Sequence, residues 1–490
     1  MSTNKIRYSF GFYGSLALIV LAGAILRIYH LDHLSFWYDE LFSVTTSSKS
    51  FEDFIQIMKT ETNPPFYPFL LFIWIKIFGN QPFTLRLFSC LIGIFTLPIV
   101  YFYVRKLTDK YIAISTVTFL SFSSGAIFYS QEVRSYSLLI LLSSVTFFVW
   151  LRNINQKEGF NGLFTFIILS IFCSYTHYFG FIFVSLLWLF LLCVKWYGKR
   201  KFFLYHFICF LLINLLYLPE VYKILFLIPS LSNINWIPKP NLEIYIHFFS
   251  YIFYFFKFKK IPILLLLLIS LVLPLLLKKN KIYIYKINKN KPIGFFFPTV
   301  YIIVSVLLST YVISQFKPMV TSRNLLVLLT PVYFLVVMWY SSSLKLQGFR
   351  QSVMVILLSV LMSLSFSKYY YKDFLKEPWN EVTRYAIELD ENDSIIFTYK
   401  LPDFIDYYLV DVYKEKPSKR ITRSESDLDS LIAEARTNKV RKLIFIETSW
   451  DGQVEQELVD QNKNLEKIER LAKFHKKRNF IGFVVHHFQL

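Results

Sequence analysis

The sequence predicts a polytopic α-helical membrane protein with a small C-terminal α/β domain, and three observations predict it. Apolar residues make up 55% of the 490-residue chain and aromatic residues 19%, too much apolar surface for one water-soluble core. They are gathered into runs near the ~20 residues that an apolar helix needs to cross a bilayer. The 53 Lys and Arg residues outnumber the 33 Asp and Glu. They lie in short clusters between the apolar runs, as the positive-inside rule requires, so the excess is a topology signal and does not call for nucleic acid. Cys90, Cys173, Cys193 and Cys209 stand in or beside apolar runs without disulfide or metal-ligand spacing.

The first apolar run, near Phe10 to Ile28, is too long for a cleaved signal and is expected to be a retained anchor. Lys5 and Arg7 precede it, so it runs from the cytoplasm outward. The stretch LSFWYDE, Leu34 to Glu40, then falls on the non-cytoplasmic side. Its carboxylates, Asp39 and Glu40, sit side by side at a membrane boundary behind Trp37 and Tyr38. Acids at such a boundary are costly and commonly functional, although an aromatic belt followed by a short surface helix fits the same residues. Between Ser43 and Asn80, FEDFIQIMKT at 51–60 reads as an amphipathic juxtamembrane helix, and FYPFLLFIWIKIFG at 66–79 as a short juxtamembrane or re-entrant piece. Further spans are expected at roughly 86–104, 111–129, 135–151, 162–178, 179–195, 203–219, 261–277, 295–313, 324–340 and 351–367, about eleven in all. The basic clusters around Arg105, Arg152, Lys199 and Lys278 to Lys291 then face the cytoplasm, and only the long loop from Pro219 to Lys260 departs from the rule.

An odd number of spans leaves the rest of the chain outside. The expected division is a transmembrane domain over 1–371, with its first outer loop at 30–85, and an extracytoplasmic α/β domain over 372–490. In the latter, SIIFTY at 394–399, KLIFIE at 442–447 and IGFVVHHF at 481–488 read as strands. ESDLDSLIAEARTN at 425–438 and LEKIERLAKFH at 465–475 read as helices. The glycine-rich phosphate turn of a dinucleotide fold is missing, so no cofactor is assigned.

The sequence holds no GxSxG, phosphate-binding P-loop, HExxH or paired CxxC. What it does hold is a set of polar residues at the outer ends of the expected spans: Asp39 and Glu40; Glu61 and Asn63 before Pro64 and Pro65; Gln131, Glu132, Arg134 and Tyr136; His177 and Tyr178; Lys317 and Arg323. On this topology all share one membrane face, so residues distant in sequence can line one cavity. Singly each has a plainer account. Pro64 and Pro65 suit an extended turn, Glu132 and Arg134 a local ion pair, His177 a hydrogen-bonded turn, and Lys317 and Arg323 side chains that snorkel to the interface.

In order along the chain, WYDE, TNPPFYPFL at 62–70, FTLRLFSCLIG at 83–93, FYSQEVRSYSL at 128–138, YTHYF at 175–179 and SRNLLVLLTP at 322–331 resemble the pattern of bacterial GT-C membrane glycosyltransferases. The likeness is to the superfamily of protein O-mannosyltransferases and lipid A aminoarabinose transferases. PWNEVTRYA at 378–386 resembles the start of their extracytoplasmic domain. The resemblance implies an inverting enzyme of the bacterial cytoplasmic membrane, acting at its outer face. It would move a hexosyl or pentosyl group from a polyprenyl-phosphate carrier to a lipid, glycan or protein acceptor.

The family's acidic motif maps onto Asp39 as the catalytic carboxylate and Glu40 as its support. The leaving lipid phosphate calls for cationic or hydrogen-bonding partners, a role that suits Arg134 and Arg323, with Asn63. Many members have His-Pro-Pro or Lys-Pro-Pro where this chain has Asn63-Pro64-Pro65, and an amide brings no charge to a phosphate. Glu61, Glu132, Tyr136, His177 and Tyr178 are candidate cavity residues. Asp39 and Glu40 leave a divalent ion open without a complete ligand set. A lipid-linked sugar flippase, and a glycan polymerase or ligase, are the competing readings. No internal repeat of the kind common in transporters is seen.

Overall fold

The computed structural model describes residues 2–61, 63–155, 160–197, 200–227, 239–253, 294–343, 376–389, 394–398, 402–415, 442–448, 463–470 and 472–489, with isolated positions between them. They fall into two units. One comprises Met1–Tyr29, Glu52–Leu70 and Arg86–Phe374; the other His30–Phe51, Leu71–Leu85 and Leu375–Leu490.

The first unit is helical: α1 (Ser2–Ile28), then, after the juxtamembrane helices, α5 (Pro82–Leu107), α6 (Lys110–Ser121), α7 (Ser124–Ser130), α8 (Tyr136–Asn155), α9 (Phe160–Thr176), α10 (Tyr178–Tyr197) and α11 (Arg200–Tyr222). Helices α12 (Leu242–Phe253), α13 (Phe296–Phe316) and α14 (Leu329–Ser343) follow. Among the described residues, six helical stretches are long and apolar enough to cross a membrane, or seven if the bent pair α6 and α7 is one span. This is a polytopic helical membrane protein. Of the further expected spans, 261–277 lies outside the described residues, and 351–367 is described only at scattered positions. The expected loop after Pro219 begins instead with a helix that carries this proline inside it and ends in a π-helical turn, Lys223–Leu227. Helix α12 lies farther along the same stretch. The core of the unit is aromatic. Trp150 and Trp188 are fully buried, and each indole N–H finds an acceptor, the Leu187 carbonyl at 2.8 Å and Ser170 Oγ at 3.0 Å, as a buried indole requires.

The expected span 111–129 is broken, with a bend of 56° between α6 and α7. The break leaves carbonyls at the end of α6 without intrahelical donors, a costly state in an apolar surround. Arg27, near the end of α1 and buried, supplies donors: its guanidinium bonds the carbonyls of Leu120 (3.0 Å) and Ser121 (2.9 Å). In return Gln131 Nε2, just beyond α7, donates to the carbonyls of Arg27 and Tyr29 at 2.9 Å each. Gly93 makes room, since a Cβ there would meet Ser130 and approach the Arg27 side chain.

The stretch expected as the first outer loop contains α2 (Tyr38–Ser48), α3 (Phe51–Thr60) and α4 (Phe66–Phe78), of which α3 and α4 coincide with the short pieces expected at 51–60 and 66–79. The second unit also contains α15 (Trp379–Glu388), α16 (Pro402–Asp406) and a four-stranded sheet of β1 (Ser394–Thr398), β2 (Lys442–Thr448), β3 (Phe474–Phe480) and β4 (Phe483–Gln489). The strand order is β1-β2-β4-β3, with β1 and β2 parallel and the rest antiparallel. Ile395, Phe397, Leu443, Phe445 and Phe488 form a core with Ile468 of a helix over 463–469. Three expected strands are present. The expected helix at 465–475 stops short, because its last residues open β3, an edge strand whose Lys476, Lys477 and Arg478 mask the apolar alternation and suit an exposed edge. The expected helix at 425–438 lies almost wholly outside the described residues.

Candidate active site

The acidic loop belongs to the second unit. Helix α2 begins at Tyr38, so Asp39 and Glu40 occupy its first turn, where backbone N–H groups lack helical partners and the helix dipole favours negative charge. The loop before it is anchored from the C-terminal part of the chain. Phe36 N donates to the Tyr408 hydroxyl at 2.8 Å, Asn380 N to Ser35 Oγ at 3.1 Å and Tyr38 N to Glu377 Oε2 at 2.9 Å. The rings of Phe36 and Tyr38 pack on Tyr407 and Phe404.

The two acids are engaged differently. Glu40 is fully buried, its Oε2 ion-paired with Lys376 Nζ at 3.0 Å and accepting the Trp37 N–H at 3.4 Å. Asp39 is only half-buried. A third carboxyl, Glu377, accepts from Tyr38 N and from Trp379 Nε1, both at 2.9 Å. Burial, reinforced by the Asp39 charge and opposed by these hydrogen bonds and by Lys376, pushes the Glu377 carboxyl up to about 7.

The cationic residues belong to the first unit. Arg134 lies in the short connection between α7 and α8, buried beside Glu132; Arg323 is half-buried and opens the 3-10 turn Asn324–Leu328. From these distant positions both guanidinium groups come within electrostatic range of His177, in the one-residue break between α9 and α10. Arg323 and Glu132 are likewise within range of the Tyr129 hydroxyl. Tyr136 opens α8, its ring centroid 5.8 Å from that of His177 and 4.6 Å from that of Tyr129. Phe179 N donates to His177 Nδ1 at 3.1 Å, which leaves the proton of a neutral imidazole on Nε2. The break is tight because a Cβ on Gly180 would run into the Cys173 carbonyl.

Beside this cluster lies a second one in the same unit. Asn63 donates to Glu61 Oε1 from its amide nitrogen at 2.9 Å and from its backbone at 3.2 Å. Tyr178 is within electrostatic range of Glu61 and of Glu220. Glu220 pairs with Lys223 at 2.7 Å, both buried, and Lys223 Nζ also donates to the Met58 carbonyl at 3.4 Å. Sequence reasoning passed over this pair, although LPEVYK sets an acid and a base three residues apart after a helical proline. Lys317 Nζ donates to the Ile224 carbonyl at 2.9 Å, in the π-helical turn.

The structure thus packs Tyr136 against His177, with Arg134 and Arg323 within electrostatic range of the imidazole, and bonds Asn63 to Glu61, with Tyr178 within electrostatic range of Glu61. Glu40 is committed to Lys376. Among the described residues no group of three or more His, Cys, Asp or Glu is arranged to hold a metal ion, so a divalent-ion site at Asp39 and Glu40 finds no fitting ligand set.

A family model described as dolichyl-phosphate-mannose-protein mannosyltransferase matches residues 62–217. The crystal structure of apo ArnT from Cupriavidus metallidurans superposes with a TM-score of 0.57 over 97% of this chain and 98% of its own, at 9% identity. The fold is similar to that of ArnT. The stretch matched by the family model contains Asn63, Glu132, Arg134, Tyr136, His177 and Tyr178. Two further structures are similar at lower scores. ArnT from Cupriavidus metallidurans bound to undecaprenyl phosphate has a TM-score of 0.48 and 11% identity, over 97% of this chain and 98% of that one. The Archaeoglobus fulgidus oligosaccharyltransferase has 0.46 and 11%, over 96% and 72%. No curated protein matches the sequence.

Proposed function

We propose that this GT-C protein is an inverting glycosyltransferase that moves a sugar from a polyprenyl-phosphate carrier to an extracytoplasmic lipid, glycan or protein acceptor in the bacterial cytoplasmic membrane. The observation that carries the reading is that the guanidinium groups of Arg134 and Arg323 both come within electrostatic range of His177, in a chain folded like ArnT. Two guanidinium groups with hydrogen-bonding partners beside apolar helices suit a lipid phosphate. The family name, dolichyl-phosphate-mannose-protein mannosyltransferase, points to such a carrier.

In this mechanism Asp39 takes the proton of the acceptor hydroxyl as its oxygen attacks the anomeric carbon. The bond from that carbon to the phosphate oxygen breaks on the opposite face, which inverts the configuration. The electron pair leaves with the polyprenyl phosphate, whose charge Arg134 and Arg323 hold. Asn63 offers the carrier an uncharged donor. Glu40 orients Asp39 through the buried ion pair with Lys376. Glu61, Glu132, Tyr136, His177 and Tyr178 are the proposed cavity residues of the first unit. The proposed arrangement is eleven spans over 1–371, an extracytoplasmic domain over 372–490 and a catalytic centre at the outer face.

The donor assignment is tested by binding of radiolabelled undecaprenyl phosphate to purified protein. Arg134→Ala and Arg323→Ala should each weaken binding about tenfold or more, the scale of a lost charge-assisted hydrogen bond. Unchanged binding in both variants would remove these arginines from the phosphate site.

A further inference from the structure

The dipeptide Lys376-Glu377 reaches both sides of Asp39. Lys376 Nζ holds the side chain of the following residue, Glu40, at 3.0 Å. Glu377 Oε2 holds the backbone N–H of the preceding residue, Tyr38, at 2.9 Å. Glu377 is itself fixed by Trp379 Nε1 at 2.9 Å, and Trp379 is fully buried against Phe404 and Phe483. Pro378 biases Glu377 toward an extended backbone.

This is an expensive way to attach a loop. Phe36, Tyr38 and the Tyr408 hydroxyl already fasten it, whereas a buried Lys-Glu pair gives up the hydration of two charges for little net stability. What the pair adds is definition of position. The N–H of a first-turn residue has no helical acceptor, and the Glu377 carboxylate supplies one at the residue that sets the direction of the Asp39 backbone.

We propose that Lys376 and Glu377 are positioning residues for Asp39, holding Glu40 and the Tyr38 peptide so that the carboxylate between them keeps one orientation toward the acceptor hydroxyl. This rests on the reading of Asp39 as the base. Glu377 need only accept hydrogen bonds, and Gln accepts them too.

The test compares Glu377→Ala with Glu377→Gln in the full-length protein, reading donor KM, kcat and peptide-resolved hydrogen exchange over residues 36–42. Misplacing a catalytic group by about 1 Å costs up to ~100-fold in rate. Glu377→Ala should therefore lower kcat by about 10- to 100-fold with donor KM unchanged, and the Tyr38 amide should exchange about fivefold faster, as for one lost hydrogen bond. Glu377→Gln should restore slow exchange and most of kcat. Unchanged kcat in folded Glu377→Ala would overturn the proposal, as would a change confined to KM. Glu377→Gln as inactive as Glu377→Ala, with slow exchange restored, would overturn it in favour of a role for the Glu377 charge itself. If the unmutated protein transfers no sugar from any carrier, the reading of Asp39 as the base fails. The exchange result still decides the anchor, because an unaltered Tyr38 amide in Glu377→Ala would refute it.

Discussion

Asp39 and Glu40 are adjacent in sequence and similar in chemistry, yet their surroundings divide their work. Glu40 is buried and ion-paired with Lys376, which occupies its carboxylate in holding the helix start. Asp39 is half-buried in the first turn of the same helix, where the proposed function assigns it the acceptor's proton. Asp39→Asn should cut sugar transfer by ~100-fold or more, the usual worth of a general base, with the protein still folded and inserted; comparable turnover in the variant would place the base elsewhere. Glu377 allows a prediction about pH. Its folded-state value of about 7 lies above the ordinary 4.5, so the folded protein binds the proton more tightly than the unfolded chain. The resulting stability is present in full below about 4.5 and is lost as pH rises through 7. Glu377→Gln imitates the protonated form. Its melting temperature relative to the unmutated protein should therefore be higher at pH 8 than at pH 5, as a thermal scan in detergent would read; a difference that does not move with pH would contradict this.

At the scale of elements, the legible features were those whose signal is local. The helix that starts at WYDE fits the plainer alternative for that stretch, and the apolar runs mark the long helices of the first unit. Arg134, His177 and Arg323 stand at expected span ends, and both guanidinium groups come within electrostatic range of the imidazole. What stayed hidden depended on partners far away in the chain. Lys376 and Glu377 look like ordinary surface charges until Glu40 and Tyr38 are placed against them. Arg27 sits inside an apolar run, and its purpose becomes visible only with the carbonyls of Leu120 and Ser121 at the bend. β3 escaped because an exposed edge strand needs little apolar alternation. The bend itself yields a prediction: Arg27→Leu leaves two carbonyls without donors, which should cost on the order of 2 kcal/mol or more and lower the melting temperature by several degrees. An unaltered melting temperature would mean that the broken helix does not need the guanidinium.

At the scale of the molecule, the compact units do not follow the order of the chain. The acidic loop and α2 form one unit with the C-terminal sheet and α15, and Lys376, Glu377, Asn380 and Tyr408 supply the anchors. A chain ending at residue 374 lacks all four. It should still insert through the long helices of the first unit, but hydrogen exchange over 34–48 should rise and sugar transfer should be lost. Full transfer by that truncated chain would show that the acidic loop holds its conformation unaided.

The central claim, the proposal that this protein takes sugar from a lipid phosphate with Asp39 as base, is tested most directly by transfer itself. Purified protein in liposomes would be supplied with radiolabelled polyprenyl-phosphate sugars and cell-envelope extract, with Asp39→Asn in parallel. The account predicts that label leaves the carrier for a new product of inverted anomeric configuration with the unmutated protein and not with Asp39→Asn. Label that crosses the bilayer still attached to its carrier, or equal transfer by Asp39→Asn, would contradict it.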